Sequence, residues 1–246
     1  MQTRLPAGYG PLVAGRAVPL ARLLALAGAC LALAGCGTSP SAENGLRSST
    51  PAQIVAAAIA AAERAATVHV SGSILGPAQP ISLNMELVGH KGGAGHVALA
   101  GLSAELVGVD RALYIKGNDA LYRRLVGARA ARLLTGRWLK GRASDRALAP
   151  LLALTSLREV IALALESHGA LTRAPAARID GREAVGVRDR AGGGTLYVAA
   201  TGTPYPLEVV EPDAHAGRLV FGSWNQAFEL EVPTGALSIA QLQSGR

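Results

Sequence analysis

Between residues 67 and 117 apolar and polar positions alternate. In TVHVSGSIL, Val68, Val70 and Ile74 are apolar while Thr67, His69, Ser71 and Ser73 are polar; ISLNMELV sets Ile81, Leu83, Met85 and Leu87 against Ser82, Asn84 and Glu86. A period of two is that of a strand with one dry and one wet face. GHVALAG, LSAELVGV and ALYIKG extend the pattern to Gly117, and the links GPAQP and HKGGAG are too short for crossover helices, which predicts an antiparallel meander. The alternation returns in ARIDGREAVGVRD, where Asp180 and Gly181 form a two-residue hairpin turn, and then in TLYVAA, YPLEVVE, RLVFGSW and FELEV.

Elsewhere the period lengthens to that of a helix. Thr50, Pro51 and Gln53 combine an N-cap, a proline in the first turn and a capping-box partner, predicting a helix through Ala66 with Ile54, Val55, Ala58, Ile59 and Ala62 on one side. A second helix is predicted from Asp119 to Leu134. A third runs from Ser156, boxed by Glu159, to about His168, with Leu157, Val160, Ile161, Ala164 and Leu165 opposite Arg158 and Glu166. ALAPLLAL ahead of it adds a helical turn or two. Strands, helices and strands with short links define an α+β fold: one large curved antiparallel sheet of about ten strands, an open half-barrel, whose concave face the helices cover.

The start of the chain follows neither period. Leu23 to Gly35 is a run of thirteen largely apolar residues, whereas a bilayer-spanning helix needs about twenty. Arg4, Arg16 and Arg22 precede it and no acid does, which is the layout of a secretory signal. The run ends on Leu33, Ala34, Gly35 and Cys36, and this L-A-G-C is similar to the lipobox of bacterial lipoproteins. That resemblance implies recognition of Leu33, Ala34 and Gly35 by a dedicated peptidase and a diacylglyceryl group on the Cys36 thiol. Cleavage there would discard Cys30, the other cysteine, and leave no intramolecular disulfide. Residues 1–35 are therefore a lipoprotein signal peptide and 36–50 a lipidated Cys with a flexible tether, since GTSPSAENGLRSST has almost nothing to bury. Fourteen such residues span about 20 Å. Residues 51–246 make one domain.

Composition narrows the function classes. Half of the 246 residues are hydrophobic, which allows a sizeable core, and aromatics are scarce at 4%. The net charge is +7 from 24 basic and 17 acidic residues; removing the three signal arginines leaves about +4, too mild for a nucleic-acid binder. The charge is concentrated in YRRLVGARAARLLTGRWLKGRASDR, residues 122–146, where eight basic residues meet one acid. Arg123, Arg124, Arg129, Arg132, Arg137 and Lys140 are the candidate contacts for an anionic headgroup, as an alternative to a plain solvated face. For an apolar ligand the candidates are Val70, Leu83, Met85 and Leu87 of the strands and Leu157, Val160, Ile161 and Leu165 of the helix. Val68, Ile74, Leu99 and Leu106 share the dry strand faces. Alternation alone does not separate a cavity lining from close-packed core.

Catalytic signatures are missing. There is no G-x-S-x-G and no H-E-x-x-H, the five histidines fall on separate elements, and RAGGGT precedes a strand and not a helix. No enzyme activity, metal or cofactor is expected.

The whole pattern resembles the LolA-like fold, and within it lipoproteins of the LppX and LprG type. The resemblance is carried by the lipobox, the first helix running into VHVSGS, ALYIKG, GRWLKG, DGREAVGV, TLYVAATGTPYPLEV and SWN. It implies an unclosed β-barrel around helices with an apolar cavity that takes acyl chains, in a monomer on the extracytoplasmic face of the cell membrane, bound to it by a diacylglyceryl anchor. The partner would be a lipid or another apolar ligand. The alternative is a non-enzymatic envelope sensor or scaffold that binds another envelope protein and has a filled core.

Overall fold

The computed structural model describes residues 42–74, 79–146, 148–166, 168–212 and 217–244. Leu33, Ala34, Gly35 and Cys36 lie outside these residues.

Six helices and twelve strands are found among the described residues. The strands are β1 (Thr67–Ile74), β2 (Ile81–Val88), β3 (Gly92–Leu99), β4 (Leu102–Val109), β5 (Ala112–Gly117), β6 (Leu139–Arg142), β7 (Leu171–Ile179), β8 (Arg182–Asp189), β9 (Thr195–Ala199), β10 (Pro206–Val210), β11 (Arg218–Gly222) and β12 (Leu237–Ser238). They form one sheet in the order β12-β6-β5-β4-β3-β2-β1-β11-β10-β9-β8-β7, antiparallel except where β12 pairs with β6 in parallel. The meander is thus two runs of hairpins joined through β1 and β11, and the predicted α+β class holds.

Registers show why the alternation was informative. The row Val70, Met85, Gly95, Leu106, Ile115 and Leu139 crosses six strands on one face. All five side chains in it are buried. The neighbouring row Leu87, Gly93, Gly108, Leu113 and Gly141 carries three glycines. There the helical layer presses onto the strand backbone: a Cβ on Gly108 would sit 2.6 Å from Thr155 Cβ, and one on Gly93 2.9 Å from Thr155 O. A Cβ on Gly141 would collide with Leu148.

The helices are α1 (Pro51–Glu63), α2 (Asp119–Val126), α3 (Ala128–Leu134), α4 (Ala149–Ala153), α5 (Leu157–Leu165) and α6 (Ile239–Ser244). In α1, Thr50 and Gln53 form the predicted capping box, and Ile54, Val55, Ala58, Ala61 and Ala62 are buried. This helix packs on β7, β8 and β10, and α5 packs on α1. Ser156 caps α5 by accepting from the Glu159 N–H at 3.4 Å.

Several expectations differ from the structure. The single helix 119–134 is two, because Gly127 adopts φ +86° and ψ 161°, which no helix continues through. FELEV is not a strand: residues 226–233 lack regular structure, and the edge place next to β6 goes to β12. GRWLKG contains a strand, β6, and HKGGAG is shorter as a turn than expected because β3 already begins at Gly92.

The largest difference concerns the tether. Residues 42–50 lie along the fold: Glu43 bridges to Thr201, Asn44 Nδ2 donates to Ala199 O at 2.8 Å, and Leu46 is buried in the main core. Arg173 of β7 donates to the carbonyls of Leu46 at 3.0 Å and Arg47 at 2.8 Å, and also to Ser49 O. A polar composition hides this docking because the bonds to Arg173 are accepted by backbone carbonyls, which every residue has.

The sheet has two ends. Ile74, Ile81, Leu99, Leu102 and Gly117 lie at one, here called the mouth. Val88, Gly92, Val109, the Asp180–Gly181 turn and Thr201 lie at the other, the base. Residues 42–47 attach at the base. The free edge at β7 is interrupted by Pro175 and a register shift between Ala174 and Ala177.

Candidate ligand-binding site

Toward the mouth the inward rows outrun the helical layer, and an apolar cleft of about 350 Å³ opens there. Its floor is the sheet, with Ile74 and Ile81 paired across β1 and β2, Val97 opposite Ala104, and Leu99 opposite Leu102. Its wall is helical, from Leu121 of α2, Pro150, Leu151 and Ala153 of α4, Leu154 after it, and Leu163 of α5. Among the described residues that line it, Ser103 alone is polar, and it alternates with the inward-facing Leu102 and Ala104. Leu163 stands at the rim with 57% of its surface exposed.

Local structure keeps the wall in place. Asn118 caps α2 by accepting from Leu121 N–H at 3.0 Å and donates to Gly101 O at 2.7 Å, which ties the helix start to the β3–β4 turn. Fully buried Tyr122 accepts from Gly117 N–H at 2.9 Å and donates to Arg137 O, so one phenol bolts α2 to β5 and to the segment before β6. Burial pushes its pKa upward, partly opposed by the Gly117 bond.

The candidate apolar residues divide sharply. Val70, Leu83, Met85, Leu87, Leu157, Val160, Ile161 and Leu165 are all buried members of the main core, and none lines this cleft. Val68 and Leu106 belong to the same core, whereas Ile74 and Leu99 reach the cleft. Sequence reasoning missed Leu102, Leu121, Leu151, Leu154 and Leu163. A signal existed in ALAPLLAL, whose leucines exceed what one short amphipathic helix buries, and in Leu163, which lies off the stripe of α5.

The basic segment is also divided. Arg123, Arg124, Arg129 and Arg132 are exposed on the α2–α3 hairpin, and among the described residues only Arg123 of these four has an ion-pair partner, Asp119. Arg137 is exposed after α3, while Lys140 on β6 lies over the Tyr114 ring at 5.2 Å. Lys116 pairs with Glu105 at 3.6 Å and lies 5.8 Å from the Trp138 ring. Among the described residues, no cluster of three or more His, Cys, Asp or Glu side chains is placed to hold a metal ion, and no helix is long and apolar enough to cross a bilayer.

An open antiparallel sheet holding helices in its hollow, with a cleft at one end, is the LolA-like arrangement. Among solved structures, the chain is similar to LprF from Mycobacterium bovis, with a TM-score of 0.52 at 14% identity over 75% of this chain and 97% of that one. It is also similar to the Mycobacterium tuberculosis lipoprotein LppX, with a TM-score of 0.46 at 14% identity over 74% and 98% of the two chains. The resemblance to LppX- and LprG-type lipoproteins read from the sequence is matched at the level of fold by the likeness to LprF. No family model matches the sequence, and no curated protein is significantly similar to it.

Proposed function

We propose that this protein is an extracytoplasmic lipoprotein, anchored through Cys36 to the cell membrane, that binds or carries an apolar or lipid ligand in the mouth cleft without chemical conversion. The observation that carries the reading is the cleft itself: about 350 Å³ with one polar residue in its described lining. That volume is at the lower end of small-molecule sites. It fits a single acyl chain and leaves any headgroup outside, where the lining offers it no partner. Transfer from water into the cleft is favoured by about 25 cal/mol for each Å² of apolar surface removed.

Binding of a fluorescent single-chain fatty acid tests this. Leu102→Trp, which fills the cleft from its partly exposed floor, weakens binding at least tenfold while the melting temperature stays within a few degrees. Equal binding by both proteins would overturn the reading.

A scaffold that binds another envelope protein is the second reading, and the filled middle of the half-barrel at Gly93, Gly108 and Gly141 favours it. Native mass spectrometry of protein purified from a bacterial host separates the two, because a carrier brings a lipid mass with it and a scaffold does not.

A further inference from the structure

The basic hairpin and the apolar cleft are at the same end of the molecule. β5 reaches the mouth at Gly117, opposite Ala104 in the cleft floor, and α2 starts two residues later. The α2–α3 hairpin therefore sits beside the cleft, and Leu121 of α2 is part of its wall. The outer side of this hairpin presents Arg123, Arg124, Arg129 and Arg132 to solvent. Among them stands Leu133, 80% exposed, and Leu163 is 57% exposed at the cleft rim. Leu133 is held out in water beside arginines that outnumber their acidic partners, and Leu163 extends the apolar lining of the cleft to its rim. Together they match a surface that is anionic outside and hydrocarbon inside.

We propose that the mouth end docks on an anionic lipid bilayer, with the arginines on phosphates and Leu133 and Leu163 in the interfacial region, so that the cleft opens directly onto the membrane. This deepens the carrier reading by naming the source or destination of its ligand, and it rests on that reading for the transfer but not for the docking. Residues 42–47 attach at the opposite end, the base.

The test uses the full chain carrying Cys30→Ser and Cys36→Ser, with Leu133→Cys bearing an environment-sensitive fluorophore. The readout is local, so that membrane contact by another part of the chain does not register at it. A blue shift is expected with phosphatidylcholine vesicles containing phosphatidylglycerol and not with phosphatidylcholine alone. The same dye on Arg182→Cys, exposed at the base, stays unshifted. Each Arg→Gln among the four hairpin arginines weakens docking about fivefold, and all four together abolish the shift.

Equal shifts in neutral and anionic vesicles, no shift at 133, or an equal shift at 182 would each overturn the proposal. Fatty-acid binding measured on the same preparation keeps the two readings apart. Binding without docking overturns the docking face alone, and docking without binding overturns the carrier alone.

Discussion

Gly108 shows how much one missing methyl group decides. It sits in the inward row between Gly93 and Leu113, and Thr155, whose hydroxyl donates to Leu152 O at 2.7 Å, fills the space a side chain would need. Gly108→Ala places a Cβ 2.6 Å from Thr155 Cβ. Overpacking of this kind costs about 1–3 kcal/mol. Chemical denaturation checks it, and Thr155→Gly in the same chain restores part of the loss as a coupling between neighbours. Sequence could not reveal this packing: GHKGGAG looks like a loose turn, yet Gly93 and Gly95 are strand residues that let the helical layer and Met85 approach. For the same reason the candidate ligand residues on the central rows proved to be core, since alternation marks the inward face and not the distance to what covers it.

At the scale of elements, legibility followed the locality of the signal. The α1 capping box, the Asp180–Gly181 hairpin with φ +46° and +76°, and the strands from β1 to β5 depend on neighbours in sequence and were readable. The β12–β6 pairing and the break at Gly127 depend on distant contacts or one backbone angle. The β8–β9 turn belongs to the readable kind and carries a pH dependence. Asp189 accepts from Ala191 N–H at 2.9 Å, Gly192 N–H at 3.2 Å and Gly169 N–H at 3.1 Å. These bonds, that from Ala191 foremost, hold its carboxyl below the ordinary aspartate range. A depressed folded pKa means that the turn's stabilisation is complete above the unfolded value and lost as pH falls through the folded one. Hydrogen exchange of the Ala191 and Gly192 amides is expected to show constant protection from neutral pH downward, then a loss in acid that Asp189→Asn abolishes.

For the whole molecule, the docking of residues 42–50 draws most of the expected tether into the fold. Of the fourteen residues, 37–50, that the sequence reads as a free tether, the nine from Ala42 to Thr50 lie along the fold. Arg173 is the main clasp, bonding three carbonyls of the segment. Arg173→Ala raises exchange of the amides of residues 44–50 about tenfold, in line with the loss of charge-assisted bonds at an exposed site. Exchange in β1 to β5 stays unchanged. A global rise would instead make this clasp part of the fold's cooperative unit.

An unclosed sheet ordinarily leaves two ladders on offer to any foreign chain. Here one flank ends in a strand two residues long, and the other carries a proline within a displaced register. Neither margin supplies a straight row of amides on which fibrils could template, so the half-barrel can stay open at its rim without offering a foreign strand a continuous ladder.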